Sequence, residues 1–208
     1  MSSEEVGRSR DFERFITFID AIVAIAITLL VLPLVDVAAE LGDGSVAELL
    51  RSHLTEIGGL LLSFVVSANA WSSQHHALRS VVASDPVVTR LLLLWTLTIV
   101  ILPFPTALVA ESGHQAATKI FYIGTMTLTS AVLTALCWRI GRNRSIRDAD
   151  AQPDPAYGLA STVGFLLALA IMLVFPATTY YPLLVQLLVS PLVRVWRERP
   201  RSRRHPGR

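Results

Sequence analysis

The chain has 208 residues, of which 52% are hydrophobic and only 16% charged, with a mean hydropathy of +0.54, whereas an ordinary soluble domain carries about 25% charged residues. A 22.8 kDa globule has too little interior to cover that much apolar side chain, so the composition argues against a soluble enzyme and against disorder, and for a membrane protein. The net charge of +2 would suggest nucleic acid in a soluble protein, but the basic residues fall where membrane topology places them, and the single cysteine, Cys137, leaves no disulfide framework and no multi-cysteine zinc site.

A bilayer-spanning helix needs about 20 residues nearly free of charge. In chain order, the charge-poor stretches predict spans at 15–36, 55–78, 88–110 and 117–138. The uncharged run 155–193 is too long for one crossing and holds Pro176, Tyr180, Tyr181 and Pro182 at its middle, so it predicts two more, at 157–175 and 180–196. The expected fold class is therefore an all-α membrane protein of six transmembrane helices, with residues 1–196 as one channel-sized domain and 197–208 as a basic, disordered tail. With the N-terminus cytoplasmic, sixteen of the eighteen Lys and Arg lie inside, and only Arg51 and Lys119 outside. This places both termini in the cytoplasm. The outer segments carry Asp36, Glu40, Asp43, Glu48, Glu56 and Glu111, a field that would gather cations or simply solvate the loops.

The first span is unlike a plain anchor. Asp20 lies more than a turn inside it, and a charge there must be paired, reach a wet interior or snorkel to water near the helix end. Arg14 is six residues earlier and roughly 120° away round the helix, so partners must come partly from elsewhere. Further along, Ala21, Ile25, Thr28, Leu29, Leu32 and Asp36 recur at three- and four-residue steps and share one face. Against lipid or a neighbouring helix this stripe is packing. Against copies of itself round an axis it becomes a pore with hydrophobic rings. Periodicity alone does not choose.

The second span carries Gly58, Gly59, Ser63, Ser67 and Ala68, a small-residue face suited to close packing, and ends in Trp71-Ser72-Ser73-Gln74-His75-His76. Adjacent histidines diverge by about 100° and lack the i, i+4 spacing of a helical zinc pair, so no metal site is expected. Pro103 and Pro105 should kink the third span near its outer end. The tail, with seven arginines from Arg194 onward, suits anionic lipid or topology better than nucleic acid.

The run Arg14, Phe18-Ile19-Asp20, Ala24-Ile25-Ala26-Ile27-Thr28-Leu29-Leu30-Val31-Leu32 resembles the first-helix signature of the transmembrane protein 175 potassium channels, an arginine, three residues, Phe-Ser-Asp and an aliphatic tract. Trp71 to His76 with Leu78-Arg79, and Leu102-Pro103-Phe104-Pro105-Thr106, resemble that family's later motifs in the same order. The resemblance implies a homotetramer with the pore lined by the first helix. Ile25 would then be the tight aliphatic ring, Leu29 and Leu32 further rings, and Thr28 a threonine linked with potassium preference. It also implies a polar network of Arg14, Phe18, Asp20, Trp71, His75 and His76 at the inner end. Ile19 stands where the motif has serine, which removes a hydroxyl beside Asp20.

The expected function is a potassium-permeable cation channel of the inner membrane, with potassium ions, membrane lipid and further copies of the chain as partners, and no cofactor, metal, nucleic acid or enzyme activity. Two other classes compete. A membrane enzyme would use Asp20, His75, His76 and Glu111, but the topology puts Glu111 on the opposite side. A proton-coupled or small-solute transporter would need ionisable groups near the midplane, where the sequence has none.

Overall fold

The computed structural model describes residues 3–39, 42, 44–79, 81, 85–112, 115–146 and 156–174. Every regular element among them longer than a single bridge is a helix: α1 (Ser3–Leu29), α2 (Leu32–Ala39), α3 (Val46–Ser52), α4 (Leu54–Leu78), α5 (Pro86–Ile101), α6 (Pro103–Ser112), α7 (Ala116–Arg142) and α8 (Ala156–Val174). The predicted sixth span, 180–196, and the tail lie outside the described residues.

Three stretches are long and apolar enough to cross a membrane, namely Arg10–Ala39, Pro86–Val109 and Ala116–Arg142. Val46–Ser52 with Glu56–Leu78 makes a fourth if that pair, bent by 70°, is one span. The apolar part of α8, Leu159–Ile171, is shorter. The chain is thus a helical membrane protein with three or four candidate spans among the described residues, where the sequence predicts five over the same stretch.

Local chemistry explains where the helices begin and break. The first span is α1 continued by α2, with its break at Leu30–Val31. Pro33 has no N–H for the carbonyl of Leu29, and the turn before it tightens, with Leu30 N–H on Ile27 O and Val31 N–H on Thr28 O, both at 3.3 Å. The third span breaks in the same way at Leu102, ahead of Pro103, as the proline pair predicts. α5 opens on Asp85, whose Oδ1 accepts from the backbone N–H of Val87 at 2.7 Å and of Val88 at 3.3 Å, with Pro86 at the first helical position.

α7 is the central element and packs against α4, α5, α6 and, most extensively, α8. Two apolar clusters lie along it. One joins Ile19, Val23 and Ala26 of α1 and Ala70 and Ala77 of α4 to Leu92, Trp95 and Ile99 of α5 and Leu133, Leu136 and Ile140 of α7. The other joins Leu62 and Val66 of α4, Val109 of α6, Tyr122 and Met126 of α7, and Phe165 and Ala168 of α8. Threonines of α7 that are buried or half-buried bond back to carbonyls of their own helix, as Thr125 does to Phe121 O and Thr129 to Thr125 O, which satisfies these hydroxyls inside the bundle.

Candidate pore helix and its polar support

α1 has two faces with opposite fates. Ile19, Val23, Ala26 and Leu30, at steps of four, three and four, are buried, and the first three pack among α4, α5 and α7. The other face is bare. Ile25 is 61% exposed and Leu32 58%, and Ala21, Thr28 and Leu29 are exposed with them. A contiguous aliphatic face of this kind on a helix whose back is fully packed is a surface that wants a partner or lipid. Thr28 donates its hydroxyl to the carbonyl of Ile25 at 2.7 Å. That bond uses the proton and leaves the oxygen free to accept from, or coordinate, whatever passes the bare face. Ile25, Thr28, Leu29 and Leu32 therefore share one surface, about 10 Å long by helical rise.

On the N-terminal side of this stripe, Asp20 is half-buried, and its Oδ1 accepts the indole Nε1–H of Trp71 at 2.9 Å. The Trp71 ring stacks on His75, with centroids 5.6 Å apart and planes inclined by 28°. Nε2 of His75 lies 3.4 Å from a guanidinium nitrogen of Arg79, which donates to it in the tautomer that leaves Nε2 bare. The chain of contact thus runs Asp20, Trp71, His75, Arg79. Other residues of the expected network stand apart from it in the single chain. Nδ1 of His76 donates to the carbonyl of Ser72 at 2.6 Å, Phe18 is 59% exposed, and Arg14 is exposed and makes no hydrogen bond or ion pair among the described residues. Ile19 lies fully buried in the apolar core, so the residue that replaces the motif's serine turns away from Asp20 and serves α1 packing instead. No group of three or more His, Cys, Asp or Glu is placed to hold a metal ion among the described residues.

Two polar clusters tie together the helices packed behind α1, and neither is apparent from the sequence as a unit. Asp85 caps α5 and its Oδ2 accepts from Arg139 at 2.7 Å and from Asn143 Nδ2 at 3.2 Å, tying α5 to the end of α7. Burial pushes the Asp85 carboxyl up, but the N–H of Val87, the Arg139 guanidinium and the N–H of Val88 together outweigh it and hold the group below its ordinary value. Elsewhere in the bundle, the Ser63 hydroxyl donates to Gly59 O at 2.8 Å and meets Thr106 Oγ1 at 3.0 Å and Tyr122 Oη at 2.8 Å. This buried knot joins α4, α6 and α7. The Asp-Pro pair at 85–86 is a helix-start signal that a sequence reader can find, whereas nothing in the spacing says that Arg139 or Tyr122 arrives beside it.

The fold defines the class, a packed bundle of helices apolar enough for a membrane, in which α1 is packed along one face and bare along the other. Residues 14–103, from within α1 to the first residue of α6, match the family described as endosomal/lysosomal potassium channel TMEM175. A protein named as a potassium channel from Streptomyces collinus is 29% identical over 137 residues, a match that covers 63% of this chain and 65% of that protein. The chain thus spans just under two thirds of the relative it matches. No solved structure matches.

Proposed function

We propose that the chain is a potassium-permeable cation channel of the inner membrane, that copies of it assemble as a tetramer round the bare face of α1, and that the ring of Ile25 side chains is both gate and selectivity element. The observation that carries the reading is the division of α1. Its back is packed on α4, α5 and α7, while Ile25, Thr28, Leu29 and Leu32 remain exposed on a helix apolar enough to cross a membrane. A bare stripe on a single helix encloses a path only when the stripes of several copies meet. The family of residues 14–103 and the name of the Streptomyces relative supply potassium as the ion.

The mechanism follows from the chemistry of the stripe. An aliphatic ring offers no ligands to replace the hydration of a passing ion, so the ion that surrenders water most cheaply passes best. Potassium, larger and less tightly hydrated than sodium, is that ion. Thr28, one turn outward from Ile25 with its oxygen free, supplies a single polar ring that eases the re-entry of water. Asp20, fixed by Trp71, places negative charge at the inner mouth and draws cations toward the constriction. None of these groups is set up for bond-breaking chemistry.

The test is ion flux into liposomes that hold the purified protein, under a potassium and then a sodium gradient. Native protein should favour potassium, and Ile25→Asn should lose the preference, because an amide ring supplies ligands to either ion. Equal fluxes in both proteins would remove Ile25 from the constriction. Flux that depends on a proton gradient would favour the transporter reading instead.

A further inference from the structure

The cytoplasmic end of α7, at its C-terminus, carries a surface that the pore does not use. Phe121, Leu128, Ala135 and Arg142 recur every seven residues along the outward side of the helix, with Trp138 one turn before the last, and all five are exposed. Trp138 is 58% exposed, and the Arg142 guanidinium lies over its ring, 5.0 Å from the centroid. Arg139 is turned the other way, into Asp85. Arg144, just beyond the helix, is exposed as well, and neither it nor Arg142 forms an ion pair among the described residues.

A cation over the face of an indole is held through its charge and not through its N–H groups, so the donors of Arg142, which bond no acceptor among the described residues, remain available in the fork that fits a phosphate oxygen pair. The stacking also limits the rotamers of the arginine, so less freedom is lost when an anion binds. Below this cationic edge the surface is apolar. α8 runs beside α7 with Thr134 and Thr162 hydroxyls 3.3 Å apart, which sets Leu159 and Val163, both about half exposed, at the depth of Trp138. Two unpaired guanidinium groups above an exposed aromatic and aliphatic wall match a molecule that is anionic at one end and hydrocarbon at the other. A soluble phosphate would use only the upper half.

We propose that Trp138, Arg142 and Arg144 form a site for the headgroup phosphate of an anionic phospholipid in the cytoplasmic leaflet, with the acyl chains along the outward faces of α7 and α8. The site requires the chain to sit in a bilayer in the proposed orientation and is otherwise independent of how the pore conducts.

The test uses the full-length protein in phosphatidylcholine vesicles doped with brominated lipid, and reads the part of the tryptophan fluorescence that Trp138→Phe removes. Brominated phosphatidylglycerol should quench that part more strongly than brominated phosphatidylcholine at equal mole fraction. A lone basic residue near an anionic surface favours acidic lipid roughly fivefold, so Arg142→Gln should cut the preference by about that factor, and Arg142→Lys, which keeps the charge but not the fork, should restore only part of it. Unchanged quenching by brominated phosphatidylcholine in Arg142→Gln shows that its fold and depth are intact. Equal quenching of the native protein by the two lipids, or a preference indifferent to Arg142→Gln, would overturn the proposal. Abolition of the preference by excess soluble glycerol phosphate would show a free-phosphate pocket and overturn the lipid assignment.

Discussion

Asp20 and Asp85 show how differently two carboxylates of one chain are used. Asp20 sits within the first span and takes one strong donor, Trp71, while remaining half-open to whatever lies beyond the inner end of α1. Asp85 is closed off: two backbone N–H groups, a guanidinium and an amide saturate it. Because its folded pKa lies below the ordinary carboxylate value, its contribution to stability is complete at neutral pH and is lost as pH falls through that depressed value. Asp85→Ala should destabilise the chain by about 1–2 kcal/mol through the lost cap alone, measured by unfolding in detergent micelles. Asp85→Asn keeps a capping side chain, so it should retain much of that term while the acid-sensitive part of the stability disappears. Equal acid sensitivity of Asp85→Asn and the native protein would show that other carboxylates govern it.

At the scale of the helices, prolines set the breaks and hydroxyls tie the pieces together. Pro33 and Pro103 each end a run of regular hydrogen bonds in a long apolar stretch, so two spans are built from two helices each. A broken helix inside a bilayer needs side-chain partners near the break, and Thr106, three residues after Pro103, supplies one through Ser63 and Tyr122. Tyr122 is fully buried, and its single hydroxyl proton is shared between Ser63 Oγ and the carbonyl of Gly59, the latter at 3.1 Å. Tyr122→Phe should therefore cost about 0.5–1.5 kcal/mol, the ordinary worth of a buried hydrogen bond, with little change in packing. Thermal unfolding of the variant in the same detergent as the native protein reads this directly. A midpoint indistinguishable from native would mean that Ser63 and Thr106 satisfy each other without the tyrosine.

At the scale of the whole molecule, the bare face of α1 makes the proposed tetramer testable with one pair of variants. Cys137 is the only cysteine and is buried, so Cys137→Ala gives a clean background. In it, Ile25→Cys should form disulfide-linked dimers under mild oxidation in membranes. Val23→Cys, on the packed back of the same helix, should not. Cross-linking at Val23 rather than Ile25 would reverse the assigned face and remove Ile25 from the axis.

The membrane class and the break ahead of Pro103 were legible in the sequence, because each depends on a local quantity, charge spacing or a missing proline N–H, whereas residues 15–36 were expected as one span and Pro33 divides it. The sequence could not say which face of α1 the bundle buries. That was decided by α5 and α7, whose Trp95, Ile99 and Leu133 accept Ile19, Val23 and Ala26 and leave the opposite stripe bare. The same holds for Ile19, which by its place in the motif reads as a lost hydroxyl beside Asp20 and in the fold is a core residue. Asp85 with Arg139, and Ser63 with Tyr122, lie 54 and 59 positions apart. Pairs that distant have no local signature, since only the packing of whole helices brings them within reach of one another, and it is this packing that sets which face of α1 stays bare.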